Sequence, residues 1–286
     1  MIKFVFFGTP EFATIILEKL IKSGLKPRAV FRDPKESVSI LIEKLNSLKP
    51  DLAVIAAYGK ILPKEILEIP RHGFINVHPS LLPKYRGASP IQYAILNGDK
   101  ETGVTIMKID EKMDHGPILA TSKFQITNSK ITYPELSKKL AELGAELLIK
   151  TILDYISEKI KPVKQNHLKA TYTKIIKKED GKINWSKSAE EIERMTRGYY
   201  PWPSAYAKLK IKSEKFKIVK IIEVEICCKE NNHTVGEVFL TENNRLSIKC
   251  GAGDLIIKKL QLEGGKFLLA KDFLNGHRDI IGSILK

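Results

Sequence analysis

The sequence predicts an α/β protein, a Rossmann-like parallel sheet covered by helices and followed by a smaller antiparallel OB-like β-barrel. Three observations carry that prediction. Over the first 160 residues, short runs that are apolar on both faces alternate with amphipathic stretches, as in parallel strands buried on both sides. Beyond that point the pattern changes to short strands separated by turn signals. The chain has 286 residues, 43% of them hydrophobic, which suffices for one large or two ordinary domains.

Taken in order, "KFVFFG" (3–8) predicts the first parallel strand. A helix follows over 10–24, with Pro10 and Glu11 suited to its start and Gly24 to its end. "RAVF" (28–31) is a second strand, 37–49 is amphipathic at helical spacing, and "LAVIAAYG" (52–59) is a third strand. A helix at 63–68, the strand "GFINVH" (73–78), a helix at 89–97 and a further parallel strand "GVTIMKID" (103–110) come next. A long helix over 133–156, with a glycine inside it, closes the unit. The segment after 158 is basic and weakly periodic and reads as a linker. The expected division is therefore 1–160, a basic linker 161–182 and a second domain 183–286. In that domain a helix over 188–198 precedes strands at 205–212, 216–226, 235–240, 245–249 and 254–261.

Lys and Arg number 48 against 33 Asp and Glu, a net charge of +15. This surplus fits a polyanionic partner, either nucleic acid or an anionic membrane surface, and equally a lysine-rich solvated surface. Cys227, Cys228 and Cys250 are an odd number, with no zinc spacing, and read as free thiols in a reducing compartment. The apolar start meets Gly8 and Pro10 at once and reads as a buried strand, not a signal peptide. No apolar run approaches the roughly 20 residues of a membrane span. The expectation is a cytoplasmic monomer that does not associate with membranes.

The chemistry concentrates in "NVHPSLLPKYRG" (76–87). On a strand, residues i and i+2 share a face, so Asn76 and His78 point the same way while Ile75 and Val77 point into packing. They lie at the carboxyl end of a strand, where open α/β sheets place ligands. A side-chain amide beside an imidazole suits acyl transfer: the N–H₂ stabilises an oxyanion and the ring moves a proton. The stretch "GVTIMKIDEKMDHGPI" adds Asp110, Glu111 and Asp114; Asp114 stands before a Gly116-Pro117 turn that would hold it at the sheet edge. There it could orient His78. His115 is a further titratable group. The same residues after strands also serve as ordinary loop caps. No GxSxG, HExxH or Walker loop is present, and "FGTPEF" has one glycine where a dinucleotide loop needs three. A dehydrogenase is therefore disfavoured.

The stretch "NVHPSLLPKYRGASPIQYAILNGDKETGVTIMKIDEKMDHGPIL" resembles the signature of the folate-dependent formyltransferases. "FFGTPEFA", "AAYGKILPKEIL", "TYTKIIKKEDGKINWSKSAEEIERMTRGYYPWPSAY" and "LQLEGGKFLLAKDFLNGHR" are similar to the branch that acts on methionyl-tRNA, so the likeness covers nearly the whole chain. The resemblance implies transfer of the formyl group of 10-formyltetrahydrofolate to the α-amino group of methionine on initiator methionyl-tRNA, without a metal. Asn76 and a protonated His78 would stabilise the oxyanion, His78 would shuttle the proton and Asp114 would orient it. Ser80, Leu81, Leu82 and Pro83 match the family's folate-contacting loop, and Tyr58 and Gly59 would help form the same pocket. In "YAKLKIKSEKFKIVK" (206–220), Lys208, Lys210 and Lys212 alternate and fall on one strand face, with Lys215, Lys217 and Lys220 on the neighbouring run. Such a row suits phosphate contacts, or guards an edge strand against aggregation. Trp185, Tyr199, Tyr200 and Trp202 could stack on bases, although "YYPWP" is more often a packed junction.

The chain departs from the family after Phe31. A loop rich in glycine and basic residues, then a helix and another strand, usually precede the helix seen here at 37–49. That loop is associated with gripping the tRNA acceptor end. Here "FRDPKES" runs almost directly into the helix, leaving Arg32 and Lys35. Two rival readings follow: formyl transfer to an amino-sugar nucleotide, and a non-catalytic tRNA-binding protein.

Overall fold

The computed structural model describes residues 2–210, 216–227 and 231–285. Contacts divide the chain into two compact units: Met1–Ile91, Lys100–Ser129 and Glu135–Ile175 form the first, and Gln92–Asp99, Lys130–Pro134 and Ile176–Lys286 the second.

In chain order the elements from the first unit onward are β1 (Phe4–Phe7), α1 (Glu11–Lys22), β2 (Val30–Phe31), α2 (Val38–Leu48), β3 (Leu52–Ile55), α3 (Lys64–Leu67), β4 (Phe74–His78), β5 (Arg86–Gly87), α4 (Pro90–Leu96), β6 (Glu101–Lys108), β7 (Ile118–Gln125), α5 (Tyr133–Ile156) and β8 (Tyr172–Thr173). Six strands form one sheet in the order β2-β1-β3-β4-β6-β7. The β1–β2, β1–β3 and β3–β4 pairs are parallel, as expected. Every residue of β1 and β3 is buried, because helices cover both faces. On α1 the buried residues Phe12, Ala13, Ile16, Leu17 and Leu20 recur at helical spacing. The Ser37 hydroxyl caps α2 by accepting the Ile40 N–H at 3.3 Å.

The expected parallel strand over 103–110 is a correction. It is β6, which runs antiparallel to β4, with His78 opposite Thr105 and Asn76 opposite Met107. A parallel return would need the chain to travel back along β4 first. The connecting helix α4 has seven residues, about 10 Å at 1.5 Å per residue, too short for that return. The next strand, β7, pairs antiparallel with β6 and was not predicted. Its residues alternate between covered and exposed, so its apolar signal is weak.

Gly144 inside α5 sets how the helix lies on the sheet. A Cβ there would stand 2.8 Å from Val77 Cγ1 and 3.3 Å from Val104 Cγ1. The bare glycine lets α5 come down on β4 and β6. Residues expected as the start of a linker are structured: 161–175 pack within the first unit, where β8 pairs with β5 and Val163 bridges Ile118.

In the second unit, α6 (Ala189–Gly198) precedes β9 (Ala205–Lys210), β10 (Phe216–Cys227), β11 (Val238–Leu240), β12 (Leu246–Lys249), β13 (Asp254–Leu262), β14 (Phe267–Leu269) and α7 (Ala270–Gly276). The strands form a curled antiparallel sheet in the order β11-β12-β13-β10-β9, with β14 on β13. Its core includes Trp185, Ile192, Leu209, Ile221, Ile257 and Phe273. Trp185 is thus a core residue, whereas Trp202 is exposed. Burial and the nearby Asp254 carboxylate push the free Cys250 thiol up to about 12. Lys212, Lys215 and Cys228 lie outside the described residues.

Candidate active site

The strand β4 delivers Asn76 and His78 to one face of the sheet, and the loop after β6 brings Asp114 to meet them. One carboxylate oxygen receives both: Asn76 Nδ2 and His78 Nδ1 each stand 3.5 Å from Asp114 Oδ1. The other oxygen, Oδ2, accepts the Gly87 N–H at 2.7 Å. Asp114 is therefore held on one side and faced by two polar side chains on the other. Both contacts to Oδ1 are long: that from Asn76 is a hydrogen bond, and that from His78 is an ion-pair contact that Nδ1 makes when protonated. His78 is almost fully buried, and its Nε2 stands 2.9 Å from the Tyr85 carbonyl. A carbonyl can only accept, so Nε2 carries the hydrogen. Nδ1 is left as the nitrogen that faces Asp114.

Asp114 reaches this place through a strained turn. Its own φ is +49°, outside the usual range of a residue with a Cβ. A Cβ on Gly116 would stand 1.9 Å from the Lys108 carbonyl oxygen, so the turn closes against β6 only with glycine there.

The loop 79–85 is anchored on Thr105 of β6. The buried Thr105 hydroxyl donates to the Ser80 carbonyl at 2.7 Å and accepts the Leu82 N–H at 3.1 Å. The Ser80 hydroxyl is buried and donates to the Lys84 carbonyl at 2.6 Å. Leu82 is buried as well, while Leu81 and Pro83 are partly exposed. Tyr58 packs edge-on to Phe7 and donates its hydroxyl to the Asp33 carbonyl at 2.8 Å. Burial first, then the Glu36 and Asp33 carboxylates, push its phenol up. Tyr58 belongs to the core of the first unit, and the adjoining Gly59 is exposed.

A cavity of about 530 Å³ lies beside the turn, lined by Lys64, Leu67, Gly73, Lys108, Asp110 and His115, among others. Its size is within the roughly 300–1,000 Å³ of ordinary ligand pockets. His115 on its wall bonds Asp110 at 2.6 Å through Nδ1. A second cavity, about 690 Å³, lies along the short edge strand β2 and includes Phe31, Arg32, Asp33 and Lys44. Among the described residues, no group of three or more His, Cys, Asp or Glu side chains could hold a metal ion. No helix there is long and apolar enough to cross a membrane.

On β9, Ala207 and Leu209 are buried and Lys208 is exposed, so the expected alternation holds where it is described. Register places Lys208 opposite Ile218 and Tyr206 opposite Lys220. Lys220 in turn faces Gln261, which pairs with Phe267. Lys259 lies 5.4 Å from the exposed Phe267 ring centroid. Sequence reasoning missed this extension across β13 and β14, because cross-strand register joins residues about 40 to 60 positions apart.

Two family descriptions match the chain: "Formyl transferase" over residues 10–152 and "Formyl transferase, C-terminal domain" over 175–278. The methionyl-tRNA formyltransferase of Thermodesulfovibrio yellowstonii is 43% identical over 304 aligned residues, covering 96% of each chain. That of Clostridium tetani is 37% identical over 318, covering all of both. Since this chain has 286 residues, 32 of those 318 positions have no counterpart in it. Among solved structures, methionyl-tRNA formyltransferase from Clostridium thermocellum matches with a TM-score of 0.60 and 17% identity, over 90% of this chain and 99% of that one. HypX from Aquifex aeolicus in complex with tetrahydrofolic acid matches with a TM-score of 0.72 and 16% identity, over 99% of this chain and 48% of that one. These structural likenesses are likenesses of fold.

Proposed function

We propose that this chain, which belongs to the formyl transferase family, transfers the formyl group of 10-formyltetrahydrofolate to the α-amino group of methionine on initiator methionyl-tRNA. Both family descriptions match, and the relatives at 36–43% identity over nearly the full chain carry that name. The observation that carries the chemistry is the meeting of Asn76 and His78 on one oxygen of Asp114.

The donor is an amide-like formyl group on N10. The neutral amine attacks the formyl carbon, and the carbonyl π electrons move onto oxygen. The Asn76 N–H and a protonated His78 Nδ1 supply donors for that oxyanion; losing one such donor typically costs about 2.7–4 kcal/mol of barrier. Collapse requires that the incoming nitrogen lose a proton and N10 gain one. His78 Nε2 is tied to the Tyr85 carbonyl, so the exchange runs through Nδ1 and Asp114 Oδ1. Gly87, holding Oδ2, keeps the carboxylate in place through the exchange.

The folate is assigned to the loop 79–83 that follows His78 and to the segment after β3, where Leu81, Pro83 and Gly59 are partly exposed or exposed. The 530 Å³ cavity is a separate space: none of Tyr58, Gly59, Ser80, Leu81, Leu82 and Pro83 lines it. The tRNA is assigned to the basic face of the second unit, with Lys208, Lys210 and Lys212 as phosphate contacts. The short β2 and the brief "FRDPKES" connection to α2 favour that face over a loop beside the active site.

The test is formylation by purified protein given 10-formyltetrahydrofolate and either charged initiator tRNA or an amino-sugar nucleotide. Methionyl-tRNA is the expected acceptor. Formylation of the sugar alone, or of neither, would overturn the proposal. His78→Ala should slow the reaction by about 10²–10⁴-fold.

A further inference from the structure

We propose that Gln165 is a positioning residue for the reaction, aiming Asp114 through its backbone. Its side-chain amide donates to the Asp114 carbonyl at 2.9 Å and to the Gly116 carbonyl at 2.7 Å. These two carbonyls flank the strained turn that carries the carboxylate. The amide thereby uses both of its N–H donors on one turn.

The other end of the same side chain is fixed just as fully. Gln165 Oε1 accepts from Arg86 Nε at 3.2 Å and from Arg86 Nη2 at 2.7 Å. Arg86 is 2% exposed, and among the described residues no carboxylate lies within ion-pair distance of it. A buried guanidinium without a counter-ion is costly and needs its donors met. Beyond Gln165, it donates to His167 Nδ1 at 2.8 Å and reaches the Tyr172 hydroxyl at 3.4 Å. Its acceptors are therefore neutral and come from one segment, 165–172.

That segment is stitched to the loop after β4. Arg86 N–H donates to the Thr171 carbonyl at 2.8 Å, Tyr85 N–H to Thr171 Oγ1 at 2.8 Å, and β5 pairs with β8. Arg86 is also the chain neighbour of Gly87, whose N–H holds Asp114 Oδ2. Asp114 is thus held by its side chain from residue 87 and by its backbone from residue 165, with the Arg86–Gln165 contact joining the two holds. If Gln165 served only to satisfy Arg86, its N–H₂ could point anywhere; instead both donors close on the Asp114 turn.

The inference rests on the proposed formyl transfer, and the experiment separates the two. Gln165→Glu keeps an acceptor for Arg86, now charged, so the buried cation stays partnered, while the loss of donors to the turn lowers the melting temperature. It removes both donors and turns a carboxylate oxygen on two carbonyls. The expected result is a 10–100-fold drop in kcat with the KM for the folate donor within about threefold, the size of a small misplacement of a reacting group. The double variant Arg86→Met/Gln165→Leu removes cation and acceptor together, which apolar replacement tolerates, and should show the same kcat loss. Full kcat in either folded variant, with active wild type, overturns the positioning role. So does failure of both to fold, because the residue would then hold the unit together and not aim Asp114. Inactive wild type would instead sink the proposed function.

Discussion

Asp114→Asn tests the centre of the mechanism with the smallest change of shape. In the native protein Oδ2 accepts the Gly87 N–H at 2.7 Å, while Oδ1 faces Asn76 Nδ2 and His78 Nδ1 at 3.5 Å each. The substituted amide has one acceptor. Gly87 claims it, so the new N–H₂ turns toward Asn76 and His78, setting a donor against the Asn76 donor and, in the reacting state, against protonated His78 Nδ1, and removing the negative charge. A hydrogen bond to a charged group contributes about 1.5–3 kcal/mol, and two such contacts are lost from the reacting state, about 3–6 kcal/mol together. At 1.36 kcal/mol per decade that is a drop in kcat of about 10²–10⁴-fold. The Gly87 bond survives, so the melting temperature should change little. Single-turnover formylation of methionyl-tRNA, with saturating folate donor, reads the chemical step directly. A folded variant within threefold of the wild-type rate would refute the role given to this carboxylate and the proton path through it.

Gly144→Ala sets a Cβ 2.8 Å from Val77 Cγ1 and should cost about 1–3 kcal/mol as an overpacking change, read by denaturant unfolding; unchanged stability would mean α5 does not rest on β4 there. Lys208→Glu should raise the KM for tRNA and flatten its dependence on salt by about one phosphate contact, leaving folate binding alone; an unaltered salt slope would remove this face from the RNA interface. Desolvation first, then the His115 and Arg86 charges, hold His167 below the usual imidazole range, with Asp110 opposing and Lys112 adding. The unfolded imidazole takes its proton first, near pH 6.5, so this contribution is complete above that pH and is lost as pH falls through the folded group's lower pKa. Melting temperature recorded from pH 8 to 5 should decline less in His167→Gln than in wild type; parallel curves would contradict it.

The parallel part of the sheet was legible because β1, β3 and β4 are apolar runs bounded by helix signals. The reversal at β6 was not, since apolar periodicity carries no strand direction, and β7 hid in a polar alternation. Asn76 and His78 were readable as partners because i and i+2 share a strand face. Asp114 was a candidate by its turn, but its distance to them came only with the fold.

By itself, the sequence determined which side chains could do acyl-transfer chemistry, and that two of them must sit side by side, because strand geometry is local. Only the tertiary structure decided that Asp114 is gripped from both ends, its carboxylate by the Gly87 N–H and its backbone carbonyl by Gln165. Those partners come from segments 27 and 51 positions away from Asp114. Which of many polar residues meets a given turn depends on how loops close over the sheet, and no local periodicity records that closure.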